Sequence, residues 1–347
     1  MADNLDPRLT DAQLAAALVR NAGRLALDMR NRGLEALRGT ATEKANVADV
    51  VTAADTAAER YVVDQLLRCR PHDSILGEEG AAHAGTSGRT WVIDPVDGTW
   101  NFFSGSTYWC SALALADGQG KEALACGASA EPAAGETSAE GALAVGPDDA
   151  GRPVAAHPSG ALAHDAGASL GASVSPGAGV PARDALADAD VLLGAIFQPQ
   201  EDKLWLGGSL QEATLNGEPV AVDTRQDVGL LAGVTYIHPG WLAARQAAGP
   251  WQRAARLPAT LRMLGSGSCD LGRVAQAELG VWFQHSCPAW DWLPGKGIVR
   301  AAGGETGVVR VNGLDWFVAG PQGAVGAIAA ALADDGLGDG PVAGDLD

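Results

Sequence analysis

From Gly118 to Asp190 the chain runs almost entirely through Ala, Gly, Ser, Pro and Asp, as in "PSGALAHDAGASLGASVSPGAGVPARD". A segment so poor in aromatic and branched side chains cannot bury enough apolar surface to offset the entropy of ordering it. Residues 118–189 therefore read as a flexible insertion with room for a short hairpin near Ala142 to Val145. A lid over a site is the functional alternative for a loop of this length. Whatever core the 347-residue chain builds must come from the blocks on either side, which suffice for one large or two smaller domains.

In the first block, Thr10 and Gln13 have capping-box spacing, and Leu14, Leu18, Ala22, Leu25 and Met29 recur at helical intervals. They predict a helix over about residues 11 to 37. A second helix is expected after Thr52, ending before Pro71. "DSILGEEG" reads as a strand ending in two glutamates, and "WVIDPVDGTWNFFSG" as a buried strand that ends with Trp91, Val92 and Ile93 and runs into a turn. "YWCSALALADG" is a further strand. In the second block "VLLGAIFQPQEDKLWLGG" is strand-like, and "LNGEP" fits a tight hairpin turn. "LAGVTYIH" is a strand, 239–255 has helical character, and "LRMLGSGSCDLGRVAQAELG" reads strand, glycine turn, helix. Residues 281–313 carry strands and a helix, a last helix covers about 322 to 333, and the tail from 334 to 347 reads as disordered. Helices and strands are mixed throughout, which gives an α and β protein.

The formal net charge of -18 argues against nucleic acid or an anionic membrane as the main partner, but leaves small anions reached through divalent cations. The five cysteines include no C-x-x-C pair, so they read as buried thiols in a reducing compartment. The polar, acidic start is unlike a signal peptide, and no apolar run approaches the ~20 residues of a membrane helix. A soluble cytoplasmic protein is the expectation.

The chemistry concentrates in acidic residues. Asp94 and Asp97 flank Pro95 and Val96, with Gly98 and Thr99 directly behind. Two carboxylates this close repel unless a cation or a proton separates them. Asp291 lies between Trp290 and Trp292, where an unpaired charge would be costly. Glu78 and Glu79 read equally well as a solvated turn, and Asp49, Thr52 and Asp55 read first as caps of the following helix. Together these groups form an oxygen-rich, histidine-poor set that suits Mg²⁺ rather than zinc. A pair of such ions stabilises the attacking and leaving oxygens of an in-line phosphoryl displacement. Gly98 permits close approach of a phosphate, and the Thr99 hydroxyl can hold a nucleophilic water.

Four pieces, "DVVTAADTAAE" (49–59), "GEE" (77–79), "WVIDPVDGTWNF" (91–102) and "WDWLPGKGIVRAAGG" (290–304), occur in an order that resembles the inositol monophosphatase superfamily. The resemblance covers about residues 10 to 117 and 190 to 332 and implies a layered αβαβα sandwich of the sugar-phosphatase type. It implies an N-terminal subdomain from 1–117 plus 190–225 carrying most ligands and a C-terminal subdomain from 226–333 supplying Asp291. It places metal ligands at Glu78, Asp94, Val96 (through its carbonyl), Asp97 and Asp291, for two to three Mg²⁺ ions, with Glu78 also serving a weaker third ion. Asp49 and Thr99 would activate the water, and the Gly98 and Thr99 amides would hold the phosphate. The loop "GSGS", with Gly265 and Gly267, and the side chains of Asp97, Gln284 and Asp291 would meet the hydroxyl-bearing part of the substrate.

The reaction implied is hydrolysis of a small phosphate monoester, an inositol monophosphate first, by a metal-activated water with no covalent intermediate. Histidinol phosphate, 3′-phosphoadenosine 5′-phosphate and fructose bisphosphate are the alternatives. Lithium inhibition and a homodimer are further implications. Three departures bear on the substrate rather than the metals: Gln284 stands where a glutamate is frequent, Pro294 with Leu293 enters the Trp-Asp segment and should alter how its helix begins, and Ala301 replaces a frequent acidic residue. A haloacid-dehalogenase-type site is disfavoured because its aspartates are two apart, and a dinucleotide fold because "GSGSCDLG" misses the required glycine spacing. A non-catalytic regulator with the same fold is disfavoured because no carboxylate of the set is missing.

Overall fold

The computed structural model describes residues 4–39, 42–43, 50–118, 186 and 189–334. Helix α1 (Asp11–Arg32) begins at the expected capping box, with Thr10 and Gln13 bonded reciprocally. It ends earlier than the sequence suggests: Gly33, a weak helix former, breaks the pattern, and α2 (Leu34–Arg38) restarts beyond it. A short ladder of β1 (Thr42–Glu43) and β2 (Val50–Val51) leads to α3 (Ala53–Cys69). Then follow β3 (Ser74–Gly77), β4 (Ala82–His83), β5 (Arg89–Asp97), α4 (Thr99–Ser104) and β6 (Cys110–Asp117). After the insertion come β7 (Val191–Gln198), β8 (Lys203–Gly208), β9 (Gln211–Leu215) and β10 (Glu218–Pro219). The hairpin expected at "LNGEP" joins the last two, with Asn216 at φ 52° and Gly217 at φ 89°.

These strands form an eight-stranded sheet in the order β10-β9-β8-β7-β6-β5-β3-β4. It is antiparallel except where β3 runs parallel to β5. The sequence reading ended the strand at Ile93; β5 instead runs through Pro95 to Asp97. It can do so because its register against β6 shifts between Asp94 and Asp97, and such an irregularity accommodates a proline without an amide.

The second block gives β11 (Ala232–Thr235), α5 (Arg245–Ala255), β12 (Thr260–Arg262), α6 (Gly267–Ala275), β13 (Val281–His285), α7 (Ala289–Ala301), β14 (Glu305–Val311), β15 (Leu314–Gly320) and α8 (Gln322–Ala333). Its five-stranded sheet has the order β12-β11-β13-β15-β14.

Five layers result. Leu14, Leu18 and Leu66 of α1 and α3 pack on Trp91, Ile93 and Phe197 of the large sheet. On its other face Trp205 and Ile196 meet Leu271, Trp292, Leu293 and Ile298 of α6 and α7, which also cover Trp282 and Phe317 of the small sheet. Ala247, Ile328 and Leu332 of α5 and α8 close the far face over Val281, Phe283 and Val318. This is the αβαβα sandwich. Pro294 does not perturb the start of α7 but lies within it, at the point of closest approach to the sheet. A Cβ on Gly194 would stand 2.1 Å from the Pro294 carbonyl oxygen, so helix and strand meet backbone to backbone. Leu186 is buried in the same core, inside the stretch read as insertion. The hairpin expected near 142–145 and the tail beyond 334 lie outside the described residues.

Candidate active site

The end of β5 and the turn into α4 form the floor of the site. Asp94 and Asp97 are both buried: the Val96 amide donates to Asp94 at 3.1 Å, and the Ser268 amide to Asp97 at 2.5 Å. Gly98 turns the chain at φ 88°, and a Cβ there would come within 3.0 Å of the Gly265 carbonyl oxygen. Only glycine meets both demands. Thr99 opens α4 and directs its hydroxyl to Asp55 Oδ1 at 3.2 Å and the Val96 carbonyl at 2.9 Å.

Asp55 was legible in the sequence as a cap, and it is one: its Oδ2 accepts from the Thr52 amide and hydroxyl at 3.0 and 2.5 Å. Its other oxygen reaches Thr99, forty-four residues away, a contact that no local pattern announces. Burial raises the Asp55 carboxyl to about 6, with the Thr52 hydrogen bonds opposing and the nearby Glu78 charge adding to the rise. Asp49, the expected partner of Thr99, lies outside the described residues.

Glu78 sits half-buried on the turn after β3, its amide bonded to the Ile93 carbonyl at 3.1 Å. Glu59 of α3 holds that turn by accepting from the Glu79 and Ala81 amides at 2.9 and 3.0 Å. Asp291 comes from the opposite block, in the first turn of α7, where the helix dipole favours a carboxylate. Gly265 and Gly267 enter from the loop that opens α6, capped by Ser266. Gln284 is half-buried in β13, paired with Phe317 on the same sheet face as Trp282. Trp282 stacks on Trp292, whose ring centre is 5.6 Å away and next in sequence to Asp291.

The electrostatics show what this arrangement favours. Burial pushes the Asp94 carboxyl well above the usual carboxylate range, and the charges of Glu78, Asp97 and Asp291 push it further. Asp97 is raised by burial too, with hydrogen bonds from Ser268 offsetting part of the rise. Repulsion of this kind is relieved by protons or by a cation. All four donors are carboxylate oxygens, which is the donor chemistry of a hard divalent cation such as Mg²⁺. Among the described residues no three acidic, histidine or cysteine side chains stand at metal-binding spacing. The residues fit the ion.

The fold is shared with solved bacterial chains: the extragenic suppressor protein SuhB of Bartonella henselae superposes with a TM-score of 0.65, covering 93% of this chain and 98% of that one at 18% identity. The Thermotoga maritima IMPase superposes at 0.61, covering 92% and 96% at 18% identity. The model of the "Inositol monophosphatase family" matches residues 9–150 and 185–335, and the chain belongs to that family. An inositol-1-monophosphatase of Mycobacterium leprae is 29% identical over 84% of this chain and 77% of its own length. A histidinol-phosphatase of Streptomyces coelicolor is 49% identical, but over 19% of this chain and 24% of its own.

The four cysteines among the described residues are buried and free, as expected of structural thiols. Among those residues no helix is long and apolar enough to cross a membrane.

Proposed function

We propose that this member of the family is a Mg²⁺-dependent phosphatase that hydrolyses a small phosphorylated polyol, an inositol monophosphate, by direct attack of water. The observation that carries the reading is the buried Asp94, raised by burial and by three surrounding carboxylates drawn from both blocks of the chain. Asp94, Asp97, Glu78, Asp291 and the Val96 carbonyl would hold two to three Mg²⁺ ions. When bound, Mg²⁺ supplies Lewis-acid stabilisation of the attacking and leaving oxygens of an in-line displacement.

The protein's own groups do the rest. Thr99, held by Asp55 and with Asp49 in the same role, orients the attacking water. Its hydroxyl has one proton and two acceptors, so the Asp55 and Val96 oxygens fix its direction to within a narrow range. Gly98 and the Thr99 amide leave room for the phosphate where any side chain would collide with the Gly265 loop. Gly265, Gly267 and Gln284 face the rest of the substrate.

A second reading, histidinol phosphate as substrate, is favoured by the short but higher identity to the Streptomyces coelicolor enzyme. Phosphate release from inositol 1-phosphate, histidinol phosphate, 3′-phosphoadenosine 5′-phosphate and fructose 1,6-bisphosphate, with and without Mg²⁺, separates the two. Mg²⁺-dependent turnover best on inositol 1-phosphate is the expected result. Turnover best on histidinol phosphate replaces the substrate, and Mg²⁺-independent turnover removes the mechanism.

A further inference from the structure

Asp97 touches the second block of the chain through a short bond from the Ser268 amide. Ser268 lies in the first turn of α6, so the place where α6 begins decides where this Asp97 oxygen sits. Two contacts from the first block fix that place. Asn101 of α4 donates to the Tyr108 and Leu264 carbonyls at 2.8 and 2.7 Å, drawing the approach to Gly265 onto α4. Tyr108, just before β6, then donates its hydroxyl to Asp270 Oδ1 at 2.6 Å across 162 residues of sequence. Asp270 is 2% exposed and lies in the same first turn of α6 as Ser268, two residues beyond it.

The Tyr108 ring is held from behind. Arg273, nearly one turn further along α6, lays its guanidinium over Tyr108 at 5.2 Å and over Trp205 at 5.9 Å. It is anchored in turn by Gln198, Glu201 and Glu278. The Tyr108 hydroxyl can therefore neither swing away from Asp270 nor be exchanged for water without disturbing a buried, bonded cluster. Burial also pushes the Asp270 carboxyl well above its ordinary range, with the Tyr108 hydrogen bond opposing, so this carboxyl depends on the bond it receives.

We propose that Tyr108 and Asp270 are positioning residues for the acidic turn: their hydrogen bond sets the first turn of α6 and, through the Ser268 amide, sets the Asp97 carboxylate for a divalent cation. The role rests on the phosphatase reading above. Outer-shell partners of this kind act on metal affinity through the orientation of the ligand rather than by touching the ion.

Calorimetric titration of MgCl₂ alone into wild type, Tyr108→Phe and Asp270→Asn tests it, beside thermal unfolding of each in EDTA. Tyr108→Phe removes the hydroxyl and keeps the ring under Arg273. Asp270→Asn keeps an oxygen able to accept from Tyr108. Tyr108→Phe should weaken Mg²⁺ binding about 10-fold, and Asp270→Asn should stay within about 3-fold of wild type, because the bond survives. A merely structural role would lower the unfolding temperature and leave Mg²⁺ affinity unchanged, which would overturn the proposal. So would an Asp270→Asn protein as weak as Tyr108→Phe, since the charge rather than the bond would then matter. Wild type that takes up no Mg²⁺ defeats the phosphatase reading and the positioning role together; wild-type binding with an unaffected Tyr108→Phe defeats the positioning role alone.

Discussion

Carboxylates gather at each end of strand β5, around Arg89 at its start and as Asp94 and Asp97 at its finish, and the two groups are opposites. At its start Arg89 donates to Asp73 and Asp11, Arg70 joins Asp11 at 2.7 Å, and the Trp91 indole bonds Asp73 at 2.9 Å. Burial works against the Asp11 charge there, but the Arg70 and Arg89 guanidiniums outweigh it and hold the carboxyl below its usual range. At the other end of the strand burial raises Asp94 and Asp97, the Glu78 charge raises both further, and the Val96 amide, the Ser268 amide and the Cys110 thiol are among the groups that bond them. The first cluster is complete within the chain and serves stability. The second gathers carboxylates from both blocks whose charges oppose one another, a repulsion that a cation or a proton relieves. Aspartates gathered at the two ends of one strand thus do different work according to what the fold places opposite them.

The largest way to break this contrast is Asp94→Asn. It should lower phosphate release by more than about 100-fold, beyond the range for an outer-shell partner. A variant retaining a tenth of wild-type turnover would remove Asp94 from the site. Arg89→Met probes the other end. It strips Asp73, which is 3% exposed, of its cation and should cost about 1–3 kcal/mol in urea unfolding, while turnover per folded molecule stays at the wild-type level. A loss of turnover without a loss of stability would mean that the two ends are not independent.

The smallest effect is one of pH. Asp55 is raised to about 6 in the folded protein against an ordinary value of 3.8, so its stabilising contribution is present at low pH and is lost as pH rises through 6. His285 works the other way: burial lowers it to about 4, so its contribution is lost as pH falls through the range below 6.5. Comparing wild type with Asp55→Asn cancels the histidine. In EDTA, the unfolding temperature of wild type minus that of Asp55→Asn should shrink between pH 4 and 6.5 (about two units, set by the Asp55 shift). A constant difference would show that Asp55 does not titrate there.

Much of the fold was legible where the signal is local. The capping box at Thr10, the Asn-Gly hairpin at Asn216 and the last helix from Gln322 each depend on residues within a few positions of one another. What could not be read was local structure decided from a distance. Pro95 should end a strand, yet β5 continues because β6 pairs Cys110 with Asp97 beyond the shift in register. Pro294 looked like a disturbance at the start of a helix; glycine at 194 instead makes room for it deep in α7. Asp55 was visible as a cap and invisible as the partner of Thr99.

The sequence by itself placed Asp94, Asp97, Gly98 and Thr99 on one short turn and Asp291 between two tryptophans, where an unpaired charge is costly, and the family resemblance proposed these with Glu78 and the Val96 carbonyl as the site. Only the tertiary structure decided which of these groups meet, that Ser268 rather than a cation grips Asp97, and that Tyr108 and Asp270 join the two blocks beneath the site. The physical reason is that a side chain's type and its near neighbours are fixed by covalent order, whereas its charge state and orientation are fixed by burial and by partners that packing brings from more than a hundred residues away.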